Sequence, residues 1–163
     1  MAEPSASPPV DLSCRELREL PLQLLHRSLL ELSVAFNELR SLDALPRSCP
    51  CLTRLNASHN QLSALPREGL PALLRLDASH NRLGSLRGIG GSPSLRELWL
   101  SHNALPLRSL LELPQLGELL VLVCCHNPFE QVRPAGLARA LAVKLMPQLS
   151  SVDARPVDGA ERA

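Results

Sequence analysis

The chain has 163 residues and a formal net charge of +1, with 17 Lys and Arg against 16 Asp and Glu. That length fits one domain, and the balanced charge leaves no single-sign field to draw nucleic acid or an anionic membrane surface. Aromatic residues make up 2% of the chain, with one Trp and no Tyr, so any core has to be built from its 38 leucines.

Residues 1–9 are a Pro/Ser/Ala lead with one Glu, expected to be disordered and lacking the basic and then apolar build of a secretory signal. From residue 10 a frame begins to repeat. Val10, Leu12, Leu17 and Leu20 open it in degenerate form over residues 10–28, with Arg15 where the later copies carry asparagine. Such a copy reads as a capping unit, because an arginine cannot fold into an inner turn and terminal repeats are commonly atypical. Asn37, Asn60, Asn81, Asn103 and Asn127 then follow at spacings of 23, 21, 22 and 24 residues. Apolar residues stand eight, five and three places before each asparagine and two after it: Leu52, Leu55, Ala57 and Leu62 around Asn60, and Leu95, Leu98, Leu100 and Leu105 around Asn103. The copies run over 29–50, 51–71, 72–93, 94–114 and 115–133, with a loop expected at 88–92 and a helical turn at 108–113.

The short L-x-L step has the period-2 alternation of a strand, which places Leu98 and Leu100 inward and Trp99 outward. One such strand cannot bury its leucines alone. Stacked copies make a parallel sheet with strands roughly 4.8 Å apart, while the rest of each copy returns along the other side and closes the core. The asparagine stands at the turn leaving the strand, where a buried amide that both donates and accepts satisfies backbone groups left open.

The sixth copy breaks the rhythm. Counting forward from Pro114 puts Cys124 at the asparagine place, whereas counting back from Asn127 gives Leu119, Leu122, Cys124 and Phe129. The second register is preferred, because a one-residue slip exchanges the two faces of a strand and the Asn127-Pro128-Phe129 end is better specified. It leaves three extra residues, expected as a bulge or longer loop near 115–118 where the sheet departs from its regular course. Residues 134–146 carry Leu137, Leu141 and Leu145 at helical spacing, and Leu149 and Val152 then return to the sheet edge. Residues 134–157 therefore read as a C-terminal cap, which a solenoid needs to cover its last strand, and 158–163 as a disordered polar tail.

The frame LxxLxLxxNxL resembles the leucine-rich repeat, which implies an α/β right-handed solenoid with a curved parallel sheet on its concave face, short helices and loops on its convex face, and a C-terminal helical cap. With Asn127-Pro128-Phe129 and Leu145-Met146-Pro147-Gln148-Leu149-Ser150-Ser151-Val152-Asp153, residues 10–157 resemble the intracellular leucine-rich-repeat proteins with a leucine-rich-repeat cap. That group includes phosphatase-regulatory subunits, axonemal dynein light chains and the spliceosomal A-prime protein. The resemblance implies an adaptor without catalytic activity or cofactor. The insertion before Asn127 and a cap helix lacking the tyrosine often found there depart from it.

The frame also lists the outward residues of the concave face in columns. Six places before the asparagine stand Glu31, Arg54, Arg75, Glu97 and Val121; four before, Ser33, Asn56, Asp77, Trp99 and Val123; two before, Ala35, Ser58, Ser79, Ser101 and Cys125. Arg54 and Arg75 are expected side by side, opposite Glu97, suiting a partner with both acidic and basic groups. Trp99 is the strongest candidate contact, since an indole on an exposed strand face serves no core and tryptophan is enriched among residues that dominate binding. Glu31 and Asn56 complete the candidate partner-binding set.

His59, His80, His102 and His126 fill the column just before the asparagine. A straight ladder does not make a tetrahedral metal cage, and Ser-His-Asn reads first as a frequent spelling of the turn in such repeats, with a pH-sensitive edge ranking slightly ahead of a metal, so no metal site is assigned. The odd count of five cysteines lacks paired CxxC spacing and fits an intracellular, reduced chain, in which the sequon Asn56-Ala57-Ser58 stays unused. Nothing here forms a phosphate loop, because the 88–91 glycines lack both GxGxxG and a Walker lysine, and no serine has a histidine and an orienting third group.

The expected function is a non-enzymatic scaffold, monomeric on its own, that binds a protein partner on the concave face. It is expected in the cytoplasm, with cilium and nucleus compatible and no membrane involved. The alternatives are a ribonucleoprotein component binding RNA with a protein partner, for which the intermixed charges supply no contiguous basic patch, and a regulatory subunit of a phosphatase or dynein-type motor.

Overall fold

Each L-x-L step folds as a short strand whose central leucine points inward. A computed structural model describes residues 8–162; residues 1–7 of the Pro/Ser-rich lead and Ala163 lie outside it. The strands are β1 (Val10–Asp11), β2 (Glu31–Ser33), β3 (Arg54–Asn56), β4 (Arg75–Asp77), β5 (Glu97–Trp99), β6 (Val121–Val123), β7 (Ser151–Val152) and β8 (Arg155–Pro156). They form one sheet in sequence order. Pairing is parallel from β1 to β7, and β8 folds back antiparallel on β7. The central residues of β2 to β6, Leu32, Leu55, Leu76, Leu98 and Leu122, are all buried, as is Val152 of β7. With Leu29, Leu52, Leu73, Leu95 and Leu119 before the strands and Leu39, Leu62, Leu83 and Leu105 after the asparagines, they make one continuous aliphatic core.

The return segments are short because each has only about a dozen residues in which to cross the back of the core. They contain single 3-10 turns at Leu22–Leu24 and Ile89–Gly91, a one-turn helix α1 (Leu45–Ser48), and a 3-10 helix over Leu107–Gln115. The 88–92 segment, expected as a loop rather than a helix, thus contains a single 3-10 turn. It is set by Gly88 at φ 92°, where an added Cβ would stand 2.4 Å from the Pro66 carbonyl oxygen.

The sixth copy keeps the register counted back from Asn127, but no bulge forms at 115–118 and the sheet does not leave its course. Val121, Leu122 and Val123 pair residue for residue with Glu97, Leu98 and Trp99. The extra length is taken up on the convex side, where the helix Leu107–Gln115 is the longest of the return segments. Parallel pairing fixes one face of every strand in the core, so a disruption is cheaper in the solvent-facing return than in the sheet.

After the sixth copy the chain forms one α-helix and two short strands. Helix α2 spans Leu137–Leu145 and starts at Gly136 in the left-handed region. Ala142 and Val143 are its buried side chains, with Met146 buried just past its end, while Ala138, Leu141 and Leu145 pack at the margin of the core and Leu137 is only partly buried. Residues 158–162 are ordered, which corrects the expectation of a free tail. Ala160–Arg162 form a 3-10 turn, and Glu161 receives the Arg139 guanidinium at 2.6 Å and 2.9 Å. Arg162 donates to the carbonyls of Pro147 and Leu149.

Candidate interaction face

The asparagines hold the strand ends in place, and so determine where the exposed side chains stand. Asn60 shows the arrangement: its Oδ1 accepts the backbone N–H of Leu39 at 3.0 Å, and its Nδ2 donates to the carbonyls of Val34 at 2.9 Å and Ala57 at 3.2 Å. Asn81, Asn103 and Asn127 make the same set one repeat further on, through Leu62, Leu83 and Leu105. Asn37 closes the series by accepting from both Arg15 and Leu17, so the degenerate first copy is hydrogen-bonded into the ladder while the Arg15 side chain stays exposed. At the other end Asp153 takes over the accepting role, with its Oδ1 2.7 Å from the Cys124 N–H and 3.0 Å from that of Cys125.

Two of the three columns fall where the frame puts them: Glu31, Arg54, Arg75, Glu97 and Val121 are register partners in one row, and Ser33, Asn56, Asp77, Trp99 and Val123 in the next. The third lies past the strand ends and is not an exposed column, since Ala35, Ser58 and Ser101 are buried. The contacts between them differ from expectation. Arg54 and Arg75 are adjacent, but like charges turn apart. Arg54 pairs with Glu31 at 2.9 Å, and Arg75 leans the other way, toward Glu97 at 3.8 Å. The Arg75 guanidinium carbon lies 3.9 Å from the centroid of the Trp99 ring. Trp99 is half-buried. Asn56 accepts from the backbone and hydroxyl of Ser58, and Asp77 from the Ser79 N–H. Over β1 to β4 the face forms an open groove of about 470 Å³ lined by Asp11, Glu31, Ser33, Arg54, Asn56 and Asp77 among others. Over β5 and β6 it carries Trp99, Val121 and Val123, with the Glu97 carboxylate beside them.

The histidines form a second feature, at the edge where the chain leaves each strand. His59, His80, His102 and His126 all have φ between 53° and 57°. Their rings stack face to face, with centroids 4.0 Å, 4.1 Å and 4.2 Å apart from one pair to the next. Phe36 adds a fifth ring, 4.1 Å from His59. Sequence reading missed Phe36, although it occupies the same place immediately before an asparagine. Burial and the neighbouring imidazoles hold His80 and His102 below the usual histidine range, while Asp77 and Glu130 act in the opposite direction. Parallel rings direct their nitrogens side by side rather than toward a common point, and among the described residues no group of three or more His, Cys, Asp or Glu is placed to hold a metal. Burial also pushes the Cys124 thiol far up, which keeps it protonated and inert.

No family model and no curated protein matches the sequence. Solved structures do. The chain superposes on a chain of the Drosophila melanogaster SNF/U2A′ complex with a TM-score of 0.70, at 22% identity over 80% of this chain and 76% of that one. A leucine-rich-repeat protein of Leptospira interrogans gives 0.69 at 30% identity, covering 88% of this chain and 36% of that one. An internalin of Listeria monocytogenes gives 0.65 at 22% identity, over 78% and 35%. The chain thus spans about a third of the length of these two bacterial proteins. Among the described residues no helix is long and apolar enough to cross a membrane. The asparagine ladder, the in-register parallel sheet and these likenesses agree that the fold is the leucine-rich-repeat solenoid.

Proposed function

We propose that the chain is a non-enzymatic scaffold that binds a partner polypeptide on its concave face, with Trp99 as the anchor and Arg54, Arg75, Asp77, Glu97, Glu31 and Asn56 around it. The observation that carries this reading is the placement of the chain's single tryptophan. Trp99 stands on the open face of the sheet, preset by Arg75 on one side and bordered by Val123 on the next strand. A half-buried aromatic on a concave sheet face has the character of a binding hot spot. The surrounding ion pairs leave both signs of charge exposed, so a polypeptide of mixed charge fits better than an RNA backbone, which needs contiguous cations. The five cysteines, all free thiols, support an intracellular setting. A regulatory subunit of a phosphatase or dynein-type motor is the finer form of this role that the sequence resemblance over residues 10–157 permits.

The test is affinity purification with the full chain, followed by calorimetry on the recovered partner. Trp99→Ala is expected to weaken binding by about 2 kcal/mol. A partner that binds this variant with unchanged affinity would rule out the concave anchor, and binding that falls steeply with salt and needs RNA would favour the ribonucleoprotein alternative.

A further inference from the structure

Where β4 meets β5, four side chains stand at the corners of a square, with Arg75 facing Glu97 and Asp77 facing Trp99. Arg75 crosses the square diagonally to lie over the indole. Its ion pair with Glu97 is loose at 3.8 Å, and both side chains are about half exposed, at 51% and 42%. Solvent screens such a pair strongly. Asp77 accepts one backbone hydrogen bond, from Ser79, and belongs to no ion pair among the described residues. The corner therefore offers two carboxylates and an aromatic face but holds one cation, weakly.

We propose that the Asp77, Glu97 and Trp99 corner is a subsite for an arginine side chain of a partner polypeptide, which Arg75 fills in cis in the free chain. This rests on the concave face being the interaction surface and adds what the partner brings to it. A guanidinium is planar, delocalised and weakly hydrated, so it can lie on an indole while its edge donates to carboxylates; a lysine ammonium is a hydrated point charge that cannot do both. Arg75 demonstrates that a guanidinium fits against this ring. Arg54, the next cation in the row, is committed to Glu31 at 2.9 Å and does not compete. On the far side of Trp99, Val121 and Val123 provide an apolar flank, which suits an apolar residue beside the arginine.

Trp99 is the chain's single tryptophan, so its fluorescence reports the stacking directly. The probe is a blocked tripeptide, acetyl-Gly-Arg-Gly-amide, titrated into the full chain at low salt, with the lysine and citrulline versions as controls. The arginine peptide is expected to produce a saturable change, the lysine peptide a weaker one and the neutral citrulline peptide none. Arg75→Ala removes an exposed side chain and leaves the core intact, which circular dichroism checks. It is expected to tighten the arginine peptide about threefold, because a cis competitor and a like charge are gone, and Asp77→Asn to weaken it about threefold. Equal or weaker binding by Arg75→Ala, or citrulline binding as well as arginine, overturns the subsite. The two failures are distinguishable. A purified partner that loses affinity on both Trp99→Ala and Arg75→Ala upholds the interaction face and overturns the arginine subsite. A partner indifferent to Trp99→Ala overturns the concave anchor and, with it, the use of this corner by that partner, whatever the tripeptides do.

Discussion

The backbone N–H of Leu39 donates to Oδ1 of Asn60, 21 residues away, at 3.0 Å. The same asparagine donates to carbonyls in its own repeat and in the one before, so each repeat is hydrogen-bonded to its neighbour through one buried side chain. Asn60→Ala would leave a buried donor and acceptors without partners, each costing about 1–3 kcal/mol. The expected loss is about 3 kcal/mol in urea denaturation at neutral pH, against little change for Asn56→Ala on the exposed face. A loss well under 1 kcal/mol would show that water or backbone shifts replace the ladder.

The stacked histidines make stability pH-dependent. His80 and His102 have folded-state values held below the ordinary 6.5, first by burial and then by the adjacent imidazoles. A histidine with a depressed folded pKa takes up protons more readily unfolded, so the stability it supports is present above pH 6.5 and is lost as pH falls through the folded value. The charges of Asp77 and Glu130 act in the opposite direction and limit the loss. The urea midpoint is expected to drop between pH 7 and pH 5, and to drop less in a variant with His80 and His102 both changed to Asn, a residue that tolerates the left-handed turn. Equal slopes in the two proteins would count against the ladder.

Two glycines separate packing from flexibility. Gly69 has φ +68°, and a Cβ there would lie 2.4 Å from the Gly91 backbone, whereas a Cβ at Gly84 meets nothing within 4 Å. Gly69→Ala should destabilise by about 2 kcal/mol or more, and Gly84→Ala should change stability by less than about 1 kcal/mol. Thermal melts of the pair decide it.

The C-terminal cap depends on one arginine. Arg139 donates to the carbonyls of Val152 at 2.7 Å and Pro156 at 2.8 Å, and also holds the Glu161 carboxylate. That guanidinium, with the Asp158 hydrogen bond, lowers Glu161 from 4.5 to about 2. Because the carboxylate value is depressed on folding, the stabilisation is full above pH 4.5 and is lost as pH falls toward 2. Arg139→Ala is expected to accelerate hydrogen exchange across 151–157 while exchange in β3 and β4 stays slow. Uniform acceleration through the sheet would mean that the cap does not open separately.

The sequence alone determined the solenoid, its register and the columns of the concave face, because leucines at fixed offsets and an asparagine every 21–24 residues leave one way to bury both. It placed Arg54, Arg75, Asp77, Glu97 and Trp99 on one surface. It did not say which of them touch, because contact between long side chains depends on competing charges and stacking: Arg54 goes to Glu31 and Arg75 to Trp99. Nor did it show where the extra residues before Asn127 would go, since only the packed sheet makes the convex return the cheaper place. The ordered tail was hidden for the same reason. Glu161 is 22 residues from Arg139, and the turn of β8 is what brings them together. Periodic burial is written locally and reads from the sequence, whereas pairings between exposed groups are settled by the three-dimensional neighbourhood.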